Sequence, residues 1–106
     1  MRKSIRSGMA LAAILSMAGA VSFAQAGADT YKSKCAMCHG ATGMADTGAG
    51  KSMKIRPVND PDVKKMSRDD MIAVTTTGKG KMPAFKGKLT DEQIGAAVDH
   101  FISLAK

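Results

Sequence analysis

The chain has 106 residues, a formal net charge of +7 and only 4% aromatic residues. A chain this short forms one small domain and buries little apolar surface without a staple or a cofactor. Its lysines and arginines are scattered among glycines and acidic residues, and no aromatic platform for base stacking accompanies them, so we predict no nucleic-acid partner.

The N-terminal segment has the composition of a secretory signal. Basic residues come first, an apolar run follows, and small residues then form a cleavage motif of the A-x-A kind. The three parts are Arg2, Lys3 and Arg6, residues 9–21, and Ala24-Gln25-Ala26. The apolar run is shorter than the roughly 20 residues that a transmembrane helix needs, so we expect no stable membrane insertion.

We therefore predict a cleaved signal peptide at residues 1–26, a single domain at residues 27–106 and a periplasmic location. Cleavage after Ala24 or Ala28, and retention of the segment as an anchor, are the alternatives. The signal holds three of the 16 basic residues and none of the nine acidic ones, so the remaining chain carries about +4. A modestly basic protein suits acidic patches on partner proteins.

Helical patterns alternate with long loops along this domain. Residues 27–36 predict a short helix, and residues 40–62, rich in Gly, Ala, Asp and Pro, predict mostly loop. A second helix is predicted from Ser67, a capping hydroxyl, to just before Gly78. Residues 78–89 then form a loop with three glycines and a proline.

The last helix has the clearest pattern. Thr90 and Gln93 are spaced as a capping box, and the apolar residues that follow recur with the period of one buried helix face. These residues are Ile94, Ala97, Val98, Phe101, Ile102 and Ala105. No segment alternates as a strand does, so we predict an all-α fold of three to four short helices and long loops.

The pentapeptide Cys35-Ala36-Met37-Cys38-His39 is the motif for covalent attachment of haem c. Two thiols separated by two residues can each reach one vinyl group on the same edge of a porphyrin, and the next residue supplies a proximal imidazole. A thioredoxin-like pair needs a strand–helix context that is missing, and a zinc site needs more ligands than two Cys and two His offer. We predict one covalent haem c on Cys35 and Cys38, with His39 as an axial iron ligand.

Met82 is the predicted second axial ligand. It lies in a Gly-rich segment that Pro83 stiffens, and such a loop can present a thioether at a fixed place. Another methionine, His100 or an open position are the alternatives. Six methionines follow the signal, namely Met37, Met44, Met53, Met66, Met71 and Met82, and of these Met66 and Met71 suit a core beside the middle helix.

With these motifs, the chain resembles a class I c-type cytochrome, the small monohaem type of bacteria. The resemblance covers nearly all of residues 27–106. It includes the attachment motif, the methionine loop and the last helix, and the matching segments are Gly27, Tyr31 and Cys35 at spacings of four, residues 35–40, residues 80–85, and residues 90–94 with Phe101-Ile102.

The resemblance implies a cytochrome c fold in which Gly27 and Tyr31 pack on Val98, Phe101 or Ile102. It also usually implies a proline soon after the histidine, whose carbonyl accepts a hydrogen bond from the imidazole Nδ1. Residues 45–52 contain no proline, so the hydrogen-bond acceptor for His39 is not identified.

These observations predict an electron carrier, not an enzyme, that acts as a monomer with redox proteins in a respiratory-type chain. Its lysines at positions 79, 81, 86 and 88 are expected to ring the haem edge and to steer acidic partners. The alternatives are an electron-transfer subunit of a larger dehydrogenase or oxidase, and a haem sensor or peroxidase with an open distal site.

Overall fold

The computed structural model describes residues 22–106, and this part of the chain folds into six helices joined by loops. Three of the helices have ten or more residues, and the other three are one-turn segments. In chain order they are α1 (Phe23–Lys34), α2 (Ala36–His39), α3 (Gly48–Ser52), α4 (Pro61–Lys64), α5 (Arg68–Thr77) and α6 (Asp91–Ser103). Only isolated bridges, and no strands, occur in this region, so the all-α prediction is confirmed.

The caps of the two later long helices are those that the sequence predicts. The Ser67 hydroxyl accepts the backbone N–H of Asp70, and the Asp70 carboxylate accepts the Ser67 N–H. Thr90 and Gln93 form the same reciprocal arrangement at the start of α6. These bonds satisfy backbone donors that the first turn of a helix leaves unpaired.

The segment predicted as loop at residues 40–62 contains two short helices, α3 and α4. The Thr47 hydroxyl accepts the Gly50 N–H at 2.9 Å and starts α3. The Asp60 carboxylate accepts the Asp62 N–H at 2.8 Å, and Pro61 occupies the first turn of α4, where a missing N–H costs nothing. The glycines and prolines thus mark the ends of single turns.

The first helix begins earlier and ends earlier than the predicted segment at residues 27–36. Residues 1–21 of the predicted signal lie outside the described residues, and its last four residues form the first turn of α1. Residues 22–26 are all exposed, whereas Gly27 is the first buried residue of the described chain. Among residues 22–106, no helix is both long enough and apolar enough to cross a membrane.

The main contact between long helices joins α1 to α6. A side chain at Gly27 would overlap the backbone of Ala96, so the absence of a Cβ allows the two helices to approach closely. The ring of Tyr31 stacks on Phe101 with centroids 6.2 Å apart. The expected packing of Tyr31 on Phe101 is therefore confirmed. For Gly27, the atoms of α6 nearest to the position that a Cβ would take belong to Ala96.

The apolar face of α6 is buried along most of its length. Ile94, Ala97 and Val98 are at most 5% exposed. Ile102 is 37% exposed, so its predicted place on the buried face is wrong. Position 102 follows the helical repeat, but the helix ends at Ser103 and no described element covers that side of its last turn.

Tyr31 also links α1 to the segment after α2. It is 2% exposed, and its hydroxyl donates a hydrogen bond to the Gly40 carbonyl at 2.6 Å. Burial, with smaller contributions from Cys35 and Asp46, raises the pKa of Tyr31 from 10.0 to about 12. The protonated phenol is thus the form that the folded state favours.

Replacing Tyr31 by Phe should lower the free energy of unfolding at neutral pH by about 1–3 kcal/mol, because the Gly40 carbonyl loses a buried donor. Since the folded-state pKa is raised, the wild type keeps the contribution of this phenol below pH 10 and loses it as the pH rises through about 12. Tyr31→Phe should not show that additional loss. Thermal unfolding of both proteins, followed by circular dichroism at neutral pH and across this window, measures the effect, and equal alkaline losses would contradict it.

Candidate functional site

A cavity of about 510 Å³ forms the centre of the described fold. Every helix except α3 contributes to its wall, and the segment after α3 and the loop at residues 78–89 complete it. The lining is predominantly apolar. An apolar cavity with a few polar groups is the usual form of a binding site for a small molecule or a cofactor.

The predicted attachment motif lies along one wall of this cavity. Cys35, Cys38 and His39 all line it, and both cysteines are half-buried free thiols. The His39 N–H donates to the Cys35 carbonyl at 2.9 Å, so one helical turn holds the three residues in register. Burial, followed by the nearby Cys38, raises the pKa of Cys35 to about 11, which keeps this thiol protonated at neutral pH.

Residues in and around α3 hold the backbone of the attachment motif in place. The Thr47 hydroxyl donates to the Cys38 carbonyl at 3.0 Å while it caps α3. Gly50 lies so close that a Cβ there would overlap the carbonyl oxygens of Cys38 and Ala45. The Ala45 N–H in turn donates to the His39 carbonyl at 2.8 Å.

The imidazole of His39 lacks the hydrogen bond that histidine ligands commonly make. Its Nδ1 atom is buried and has no hydrogen-bond partner among residues 22–106. Burial lowers the pKa of His39, which favours the neutral ring that a metal requires. The acceptor that could not be identified from the sequence is thus not supplied by the described chain.

Met82 lines the same cavity from the loop at residues 78–89. The backbone N–H of Lys79 donates to the Met82 carbonyl at 3.1 Å, and the Met82 N–H donates back to the Lys79 carbonyl at 3.0 Å. Farther along the loop, the N–H groups of Phe85 and Lys86 donate to carbonyls in the last turn of α5 at 3.0 and 3.1 Å. The Met82 loop is therefore attached to α5 through main-chain atoms.

Gly78 makes the turn from α5 into this loop. Its φ of +77° is a conformation that residues with side chains rarely adopt, and a Cβ there would crowd Met82, Pro83 and Ala84. The predicted end of the middle helix before Gly78 is confirmed.

The alternatives for the second iron ligand divide into two groups. Met53, Met66 and Met71 also line the cavity. Met37 is 80% exposed and Met44 is 42% exposed, and neither lines it. His100 lies outside the cavity wall, with its ring 5.0 Å from that of Tyr31. Met66 and Met71, which were predicted to lie in a core beside the middle helix, lie in the cavity wall.

Four cations line the cavity, and only two of them are among the four predicted lysines. Lys79 and Lys81 line it, whereas Lys86 and Lys88 are exposed elsewhere on the loop. The other two are Lys34 and Arg56, which sequence reasoning missed. Lys34 directly precedes Cys35, so its position in the sequence could have indicated that it lies beside the cavity. We refer to Lys34, Arg56, Lys79 and Lys81 as the basic rim.

The residues of the cavity fit a haem attached through two cysteines. Two thiols, one imidazole and the thioethers of four methionines line a mainly apolar space, which suits a large flat apolar ring with a central iron. Within residues 22–106, no group of three or more His, Cys, Asp or Glu side chains could bind a metal ion.

Comparisons with known proteins agree with this geometry. The family model described as "Cytochrome C oxidase, cbb3-type, subunit III" matches residues 22–101. The chain is 35% identical over 83 residues to cytochrome c6 of Leptolyngbya boryana, which covers 78% of this chain and 94% of the relative. It is 30% identical over 69 residues to cytochrome c-551 of Halorhodospira halochloris, which covers 65% of this chain and 80% of the relative.

A solved structure shows the same fold. The KustC0563 c-type cytochrome superposes with a TM-score of 0.69 at 30% sequence identity. The match covers 76% of this chain and 98% of that protein. The segment that the family model matches, residues 22–101, contains every residue of the cavity wall.

Proposed function

This chain belongs to the class I c-type cytochromes, and from that membership we propose that it is a periplasmic carrier of single electrons between redox proteins of a respiratory-type chain. The observation that carries the proposal is the cavity, because Cys35, Cys38, His39 and Met82 all line it. In this proposal the protein is a carrier and not an enzyme.

Each of these four residues has a proposed role toward the covalent haem c of the family. Cys35 and Cys38 would hold the haem through two thioethers, and His39 and Met82 would bind its iron. When bound, haem c supplies an iron that gains and loses one electron. A thioether from Met82 would favour the ferrous form of that iron, so this chain's own residues would tune its potential.

An electron-transfer subunit of a larger complex is the second candidate function. The description of the matching family model, an oxidase subunit, favours it. The same four residues would act in the same way, and only the partner would differ. Copurification with a stoichiometric dehydrogenase or oxidase would support the subunit, whereas recovery of the chain alone would support the free carrier.

The periplasmic location rests on residues 1–26 as a signal peptide. Support comes from the exposure of residues 22–26, because the buried part of the described chain begins at Gly27. Cleavage after Ala26 removes the exposed first turn of α1 and keeps the contact of Gly27 with Ala96. The intact mass of the exported protein should therefore equal that of residues 27–106 plus one haem. A mass that includes residues 1–26 would contradict the proposal.

The assignment of Met82 can be tested with Met82→Ala. Without its thioether, the ferric protein should lose the charge-transfer absorption of sulfur-ligated iron, and the ferrous protein should bind carbon monoxide readily. Met44→Ala is the matched control, because Met44 is 42% exposed and lies outside the cavity wall. If Met82→Ala keeps the absorption band, one of the other methionines of the cavity is the ligand.

The basic rim is proposed to attract acidic patches of the redox partners. Changing Lys79 and Lys81 together to Gln should slow oxidation of the reduced protein by ferricyanide, an anionic oxidant, by a factor of about 2 to 10 at low salt. At high salt the difference should vanish, because screening removes the attraction.

Lys86→Gln with Lys88→Gln is the matched control for this experiment. It removes the same charge from the same loop but leaves the cavity wall intact. Stopped-flow absorbance measures both rates. Equal slowing by the two double variants would show that net charge, and not the basic rim, controls the encounter.

A further inference from the structure

The orientation of the His39 imidazole has to be set by something other than a hydrogen bond. A histidine that binds a metal usually donates its second ring N–H to a neighbouring acceptor, which fixes the rotation of the ring. In His39 the Nδ1 atom is buried and finds no partner among the described residues.

The backbone of His39 is nevertheless fixed. Its N–H donates to the Cys35 carbonyl at 2.9 Å, and its carbonyl accepts the Ala45 N–H at 2.8 Å. The freedom that remains belongs to the side chain. The torsion between Cβ and the imidazole ring is intrinsically broad, because a bond between an sp³ and an sp² carbon has only weak rotational preferences.

Phe101 is the aromatic side chain in contact with this ring. The two centroids are 5.3 Å apart and the planes meet at 66°, which is the edge-to-face arrangement that aromatic rings prefer. Rotation of the imidazole about its Cβ bond would change this angle. The contact therefore acts on the torsion that the backbone leaves free.

Phe101 is itself fixed through residues that lead back to His39. Tyr31 stacks on Phe101 with centroids 6.2 Å apart and planes 29° apart. The Tyr31 hydroxyl donates to the carbonyl of Gly40, the residue after His39, at 2.6 Å. His39, Gly40, Tyr31 and Phe101 thus form a closed circuit of contacts between α1, α2 and α6.

From this circuit we propose that Phe101 is a positioning residue that sets the rotation of the proximal imidazole in place of a hydrogen bond to Nδ1. The inference rests on the proposed role of His39 as an axial ligand. It predicts one well-defined ring orientation in the wild type and a distribution of orientations when the aromatic ring at position 101 is removed.

The test compares the electron paramagnetic resonance spectra of the oxidised holoprotein in four forms. Phe101→Leu should broaden or split the low-spin signal of the wild type, because the imidazole can then adopt several orientations. Phe101→Tyr should restore the sharp signal, since it keeps the ring. Val58→Ala is the matched control, because Val58 is 2% exposed but lies outside the cavity wall. It should lower the melting temperature and leave the signal sharp.

An unchanged signal in Phe101→Leu, or equal broadening in Val58→Ala, would overturn the inference. If Phe101→Leu does not fold, the inference can be tested on the wild type. In the reduced holoprotein, nuclear Overhauser effects between the ring protons of His39 and Phe101 would support the inference, and their absence would refute it. A wild type without any low-spin signal would instead count against the axial ligands of the proposed function.

Discussion

The buried hydrogen bond from Tyr31 to Gly40 connects the parts of the structure on which the site depends. Tyr31 lies on α1, its ring stacks on α6, and its hydroxyl reaches the end of the attachment motif. The pairing of α1 with α6 is the most extensive contact between long helices, and the hydrogen bond of Tyr31 joins the motif directly to that pair. A loss of packing between these two helices would therefore move His39 as well.

This small domain has a cavity in its interior where a packed core would be expected. Its buried apolar side chains are few, and the wall contains residues from both ends of the chain. A domain of this size gains little stability from its own core, so a large apolar cofactor in this cavity would supply apolar contacts that the side chains do not make with one another. Binding of such a cofactor would stabilise the folded state.

The sequence predicted the features that depend on local chemistry. The attachment motif, the N-cap at Ser67, the capping box at Thr90 and the methionine loop follow from residue types at fixed spacings. Features that depend on tertiary contacts were harder to predict. The exposure of Ile102 reflects what lies beyond the end of α6. The basic rim reflects which cations the fold brings to the cavity, so Lys34 and Arg56 were missed, and of the four predicted lysines only Lys79 and Lys81 line the cavity. The two one-turn helices in the predicted loop were missed because each depends on a single capping side chain.

The main-chain attachment of the Met82 loop separates the path of its backbone from the charges on its side chains. The loop is hydrogen-bonded to α5 through the carbonyls of Thr75 and Thr76, and backbone hydrogen bonds close the turn at Lys79 and Met82. The exposed lysine side chains of the loop take no part in these main-chain hydrogen bonds. Their charges can therefore change during evolution, or by design, without displacing the sulfur atom. A scaffold of this kind can be adapted to new redox partners while the position of Met82 in the cavity wall stays the same.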